Sequence, residues 1–342
     1  MSTHLFKASA LPLRSRVGTH ARAMLFLATW ALVAGCGNYS NEDLAFMEAL
    51  PQQEALRAEV PRQTMLTLDA DEWYRTTKGL VAVFNGAVES ALGLVAKIRN
   101  YFPTRRIPSG RIWGPYPAEK QPGWAWMMVM RQTADASGNA VFEYHLGFLR
   151  EKTTDEGALL DVLSGTFNPS ATTQGGHGTI HYDTTRARGM GIPLPDNDNL
   201  ASLSGSYASD TWPKTIDLTW VPVTPKPPAD PKNLGEPSQA TYHFQAEQNG
   251  DGALTYGFDD VSNPDFLPGA AGVDQFKVVS RWRKIGAGRA DIKVVAGDFA
   301  GVHLVHCWND ALQTAYQSDK ALGGLDVGDI ASCAYPEAPP DL

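Results

Sequence analysis

Between residues 69 and 102 the apolar positions fall in a heptad-like order. Val81, Phe84, Val88, Ala91, Val95, Ile98 and Phe102 recur at spacings of three and four, which gathers them on one face of a helix. The run Asp69-Ala70-Asp71-Glu72 offers a capping start, and Pro103 forbids continuation. The spacing therefore predicts one long N-terminal helix over 69–102. Gly79, Gly86 and Gly93 recur every seven residues beside the apolar face. Each costs about 1 kcal/mol relative to alanine, so three in register predict a close approach by another backbone. Asn85, Glu89, Ser90 and Lys97 interrupt any continuous apolar coat, which argues against a membrane helix.

From Arg111 onward the period changes from helical to alternating. Strands are expected over 124–132, 141–149, 159–167, 178–183 and 215–221, then over 240–246, 253–258, 275–283, 291–295 and 302–307. The links Ser137-Gly138-Asn139 and Asn249-Gly250-Asp251-Gly252 supply residues that tolerate positive φ, and short links favour antiparallel pairing. Trp124, Trp126, Met128 and Met130 would share one face while Met127 and Val129 take the other, so both sides of this strand need cover. Further on, Phe142, Tyr144, Leu146 and Phe148 oppose Glu143, His145 and Gly147. A short final helix is expected over 309–317. These patterns give an α+β, β-dominated fold, a large mostly antiparallel sheet packed on one long N-terminal helix. Residues 69–342 would form a single globular domain. Six prolines between 222 and 237 forbid a regular element there; we read a long surface loop, with an interdomain linker as the alternative.

The first 35 residues carry Lys7, Arg14, Arg16 and Arg22 without any acid, then run apolar and uncharged from 23 to 35. Thirteen residues at ~1.5 Å each fall short of a hydrocarbon layer of ~30 Å, so this is an export signal and not a permanent span. The sequence Leu32-Val33-Ala34-Gly35-Cys36 resembles the lipobox of bacterial lipoproteins. That resemblance implies cleavage before Cys36 and lipid on its thiol, and with it a membrane as partner. Several acyl chains hold firmly because each buried methylene adds about 0.8 kcal/mol. Gly37 in place of aspartate implies sorting to the outer membrane. Residues 36–68 would then form a lipidated tether with two short helical pieces, ended by Pro51 and Pro61, whose apolar side is Leu44, Phe46, Met47 and Leu50.

Charge narrows the partners. The net charge of −8 becomes −12 once residues 1–35 leave with their four cations, and phosphate repulsion then argues against nucleic acid. With lipid on Cys36, two thiols remain, and Cys307 and Cys333 are expected to pair in an oxidising compartment. His177 and His181 have zinc-helix spacing but sit in a strand-like segment, about 13 Å apart and too far for one ion. His303 and His306, an odd number of residues apart, point to opposite faces of a strand. Ser204-Gly205-Ser206 lacks the glycines of a nucleophile elbow, and Gly286-Ala287-Gly288 reads as a hairpin and not a dinucleotide loop. No catalytic residue, metal site or cofactor is assigned. The first reading is a membrane-anchored envelope lipoprotein with a non-enzymatic binding or structural role, toward an envelope protein or another partner. A curved antiparallel sheet around a helix also resembles the lipoprotein-carrier fold of periplasmic lipid-handling proteins, which implies an apolar ligand cavity lined by Trp124, Trp126, Met128 and Met130. A hydrolase with a dispersed site is the third reading.

Overall fold

The computed structural model describes residues 39–61, 70–118, 121–170, 175–189, 200–222, 240–261, 273–318, 325–340 and 342. Cys36 and the surrounding lipobox, and most of the proline-rich stretch, lie outside them. Asp43–Leu342 forms one compact unit, so residues 43–61 of the expected tether belong to the folded body. Leu50 and Leu56 in that stretch are fully buried.

The fold is β-dominated, and the described residues form one antiparallel sheet of fifteen strands whose order across the sheet is their order in the chain. The first half holds β1 (Arg105–Ile107), β2 (Gly110–Pro117), β3 (Trp124–Ala134), β4 (Ala140–Arg150), β5 (Leu160–Pro169), β6 (Gly176–Asp183) and β7 (Leu200–Ala208). The second holds β8 (Lys214–Pro222), β9 (Ala240–Ala246), β10 (Gly252–Val261), β11 (Val273–Trp282), β12 (Gly288–Ala296), β13 (His303–Trp308), β14 (Thr314–Gln317) and β15 (Val327–Gly328). The glycine-rich links close as hairpins, with Gly138, Gly250 and Gly286 at positive φ. β1, β2, β7 and β15 were not expected from alternation; β7 is small and hydroxylic, and only Ala201, Leu203 and Tyr207 mark its buried side.

Two further expectations change. The long helix is shorter than 69–102, running over Glu72–Ile98; among the described residues two short helices precede it, in the stretch where two helical pieces were expected. We number them α1 (Asn41–Glu48), α2 (Gln53–Leu56) and α3 (Glu72–Ile98). The first N–H groups of α3 are capped by Asp71, whose Oδ1 accepts from the Trp73 and Tyr74 amides at 2.9 and 3.2 Å. At the other end the Trp113 indole donates to the Tyr101 carbonyl, and the chain turns into β1. The expected helix over 309–317 is instead a turn and then β14. Asn309 Oδ1 accepts from the Ala311 and Gln313 amides, Leu312 takes a positive φ, and β14 pairs with β13. This local side-chain bond offers the backbone an alternative to the helix, and strand pairing completes it.

One face of the sheet and the helices make a single core. Trp113, Met128, Tyr144, Ile180, Leu203, Leu218, Phe244, Tyr256, Val278 and Ile292 belong to the same buried cluster as Val81, Phe84, Val88, Ala91, Val95 and Ile98 of α3. Phe84 stacks on Tyr242 at 4.3 Å, and Thr77 shares a 2.8 Å hydrogen bond with Ser280. α1 fills the same side toward β4, with Phe46 edge-on to Phe142. Asp43 of α1 is fully buried against Arg106 and Arg111, and removing the carboxylate of such a pair costs about 3–5 kcal/mol. Lys214 donates to the Glu54 and Arg57 carbonyls at the end of α2. The glycine stripe leaves room for side chains among the described residues. A Cβ added at Gly79, Gly86 or Gly93 would find nothing within 4 Å, so the expected close approach is absent at these three positions.

Candidate functional site

The outward face of the sheet changes character along its width. On β2 to β4 it carries Ile112, Ala125, Met127, Val129 and Leu149, buried beneath the segment that ends at Leu159. Arg105 and Arg131 pin that segment by ion pairs to Glu156. On β11 to β13 the outward residues Val279, Asp291, Val305 and Cys307 are again buried, this time under the C-terminal tail. Cys333 is bonded to Cys307, as expected from the sequence. Arg283 donates to the Ala334 carbonyl, Arg289 to those of Tyr335 and Pro336, and Arg281 to that of Glu337. Beneath the tail Arg289 also grips Asp291, which is wholly excluded from water.

Between these two covers the outward side chains of β6 to β10 turn to serine, threonine, histidine and aspartate. An open groove of about 390 Å³ lies there. Alternation puts Thr179, Ser206, Asp217, His243 and Thr255 on this face, and strand register sets them side by side. Thr179 opposes Ser206, Ser206 opposes Asp217, Asp217 opposes His243, and His243 opposes Thr255. A second row runs parallel through His181, Ser204, Thr219 and Thr241. The floor is peptide backbone. At Gly205 a Cβ would collide with the Asp217 carbonyl oxygen, so a larger residue would push β7 off β8.

The ionisable groups of the groove are few. His243 Nδ1 lies 2.5 Å from Asp217 Oδ1. A carboxylate only accepts, so Nδ1 carries the proton and Nε2 is the remaining polar atom of the ring. Underneath, burial pushes the phenols of Tyr207, Tyr242 and Tyr256 well above the ordinary tyrosine value, which keeps that layer neutral. Two further pairs flank the groove, His145 with Asp161 at 2.8 Å and His177 with Asp210 at 3.1 Å. The hydrogen bond to Asp161 raises the His145 pKa, against the lowering effect of partial burial.

The residues singled out from the sequence fall elsewhere. Met128 and Met130 are fully buried in the core, and Trp124 and Trp126 pack half-buried against it. Trp126 sits 4.6 Å from Tyr116 and 5.4 Å from Tyr101, and Arg150 stacks on Trp124 at 4.1 Å. His177 and His181 do lie on one strand, β6. His303 faces outward to Asp291 while His306 faces inward beside Asp71, on opposite sides of β13 as their spacing implies. Ser204-Gly205-Ser206 is mid-strand. Among the described residues no three His, Cys, Asp or Glu side chains are placed to hold a metal ion. Sequence reasoning missed the groove itself, because its rows are assembled from strands up to 76 positions apart that touch only through register. The one available signal was the run of short polar residues at alternate positions, serine or threonine in 164–166 and 204–206 and Thr215, Asp217 and Thr219 in 215–219. Comparison with family models, curated proteins and solved structures returns no match to this chain.

Proposed function

We propose that this chain is a lipoprotein of the cell envelope, held to the outer membrane by lipid on Cys36, with a non-enzymatic binding role exercised through the open middle of its outward sheet face. One observation carries the binding role. The chain covers both ends of that face with its own segments and fills the opposite face with helices, while among the described residues nothing lies over β6 to β10, which carry a polar groove. A surface left uncovered between two covers, with its side chains changed from apolar to hydrogen-bonding, is suited to an external ligand.

The carrier reading fits less well, since Met128 and Met130 are packed in the core formed with α3, and Trp124 and Trp126 pack against it. Catalysis also has weaker support. Asp217, His243 and Thr255 follow in register, but the amides around them are paired in the ladders of β7 to β10, which leaves no backbone donor for an oxyanion.

The anchor is tested by the intact mass of the full chain extracted from membranes. The proposal expects an N-terminus at Cys36 that carries acyl chains. A free thiol or a different start would overturn it.

A further inference from the structure

The two outward rows make a periodic surface. Neighbouring strands lie ~4.8 Å apart, so Thr179, Ser206, Asp217, His243 and Thr255 place a polar side chain on each of five strands over roughly 19 Å, with the Thr179 hydroxyl already bonded to the amide and hydroxyl of Thr166. Ser204, Thr219 and Thr241 repeat the pattern one row along the strands. Hydroxyls both donate and accept, and the Asp217 carboxylate keeps Oδ2 as an acceptor while Oδ1 holds His243.

A ligand for this surface has to be recognised by side chains alone. The strands beneath are paired on both sides, so a peptide finds no edge to extend. Hydroxyl lining does not suit an acyl chain, and Asp217 together with a net charge of −8 repels a phosphodiester backbone. What remains is a polyhydroxylated chain that offers donors and acceptors at a regular pitch. A β-1,4-linked hexopyranose polymer repeats along its axis on nearly the pitch of neighbouring strands, with hydroxyls along both edges. The groove, at about 390 Å³, is within the range of ligand clefts.

We infer that the outward groove of β6 to β10 binds a linear β-1,4-linked glycan lying across the strands, with successive sugars over successive strands. The inference rests on the binding role proposed above and names its ligand; it does not depend on the lipid anchor. Asp217 takes vicinal sugar hydroxyls, and Ser204, Ser206, Thr219, Thr241 and Thr255 bond the sugars that lie over their strands.

The test is calorimetric titration of the purified full chain in detergent with the β-1,4-linked hexamer of N-acetylglucosamine and with cellohexaose. The first probe stands for a wall glycan and the second for a plain glucan. Saturable binding of at least one is expected. The double variant Thr219→Val with Thr255→Val replaces hydroxyls by methyls while keeping β-branching, and should weaken it roughly tenfold or more. Asp217→Asn, at an exposed position, should do likewise and supplies the readout if the double variant fails to fold. No binding of either hexamer, or undiminished binding in both variants, would overturn the inference. So would equal affinity for maltohexaose, whose α-linked chain does not keep the strand pitch. Failure here with an acylated Cys36 would leave the envelope assignment standing, and the reverse result would separate them the other way.

Discussion

Replacing Gly79, Gly86 and Gly93 by alanine should stabilise the protein, although these glycines recur with a regularity that suggests a packing role. All three lie inside α3, where glycine costs about 0.8–1.0 kcal/mol relative to alanine. Among the described residues the added methyl meets nothing within 4 Å at any of them, so no steric charge opposes the gain. Neighbouring sites are seven residues apart, about 10 Å along the axis, and their effects should add. The triple variant is expected to gain about 2.5–3 kcal/mol, or roughly 5–8 °C in Tm for a body of this size. Urea unfolding followed by circular dichroism measures it, with the midpoint rising and the m-value unchanged. A null or negative result in the triple variant would refute the reasoning, because it would mean that some backbone does lie against the stripe in the native protein.

Other outcomes follow from the tail and from the flanking histidine. Cys307→Ser with Cys333→Ser opens a loop closed across 26 positions, so stability should fall by about 3.5 kcal/mol in the chain-entropy model. Limited proteolysis should then cut after 333 before it cuts the sheet. His145 is held above the ordinary histidine value of 6.5 by Asp161. A raised folded-state pKa stabilises fully below pH 6.5, and the contribution fades as pH climbs through the raised value. Proton NMR titration of His145 should give a pKa above 6.5 in the native chain and a lower one in Asp161→Asn; equal values would remove the pair from the account.

What the sequence made legible was whatever a local period encodes. Alternation located β3 and β4 because Trp126, Met128 and Met130, then Phe142, Tyr144 and Leu146, face one core. Spacing of three and four located α3 through Val81, Phe84 and Val88, while its ends were set by Asp71 and by the Trp113 bond to Tyr101, which the helical period does not contain. Residues 309–317 misled because ALQTAYQ has fair helix propensity, and pairing with β13 outweighs it. β7 was illegible because serine and glycine dilute its alternation. The same dilution supplies the groove, so the segment that carried the weakest structural signal contributes Ser204 and Ser206 to the candidate site. Register across β6 to β10 is a tertiary property, and no single segment reports it.

A sheet whose spatial order repeats its chain order has a kinetic consequence. Every ladder from β1 to β15 joins segments adjacent in sequence, so each hairpin can zip onto the one before it without waiting for distant chain, the condition under which β proteins assemble fastest. Contacts between distant segments also occur, Lys214 with α2 among them, and the longest reach the last strands: Thr77 meets Ser280, and Asp71 meets Leu312 and Thr314. Those to Leu312 and Thr314 wait for the end of the chain. A chain synthesised or exported from its amino end would carry α3 with its starting turn unlatched until the final strands arrive.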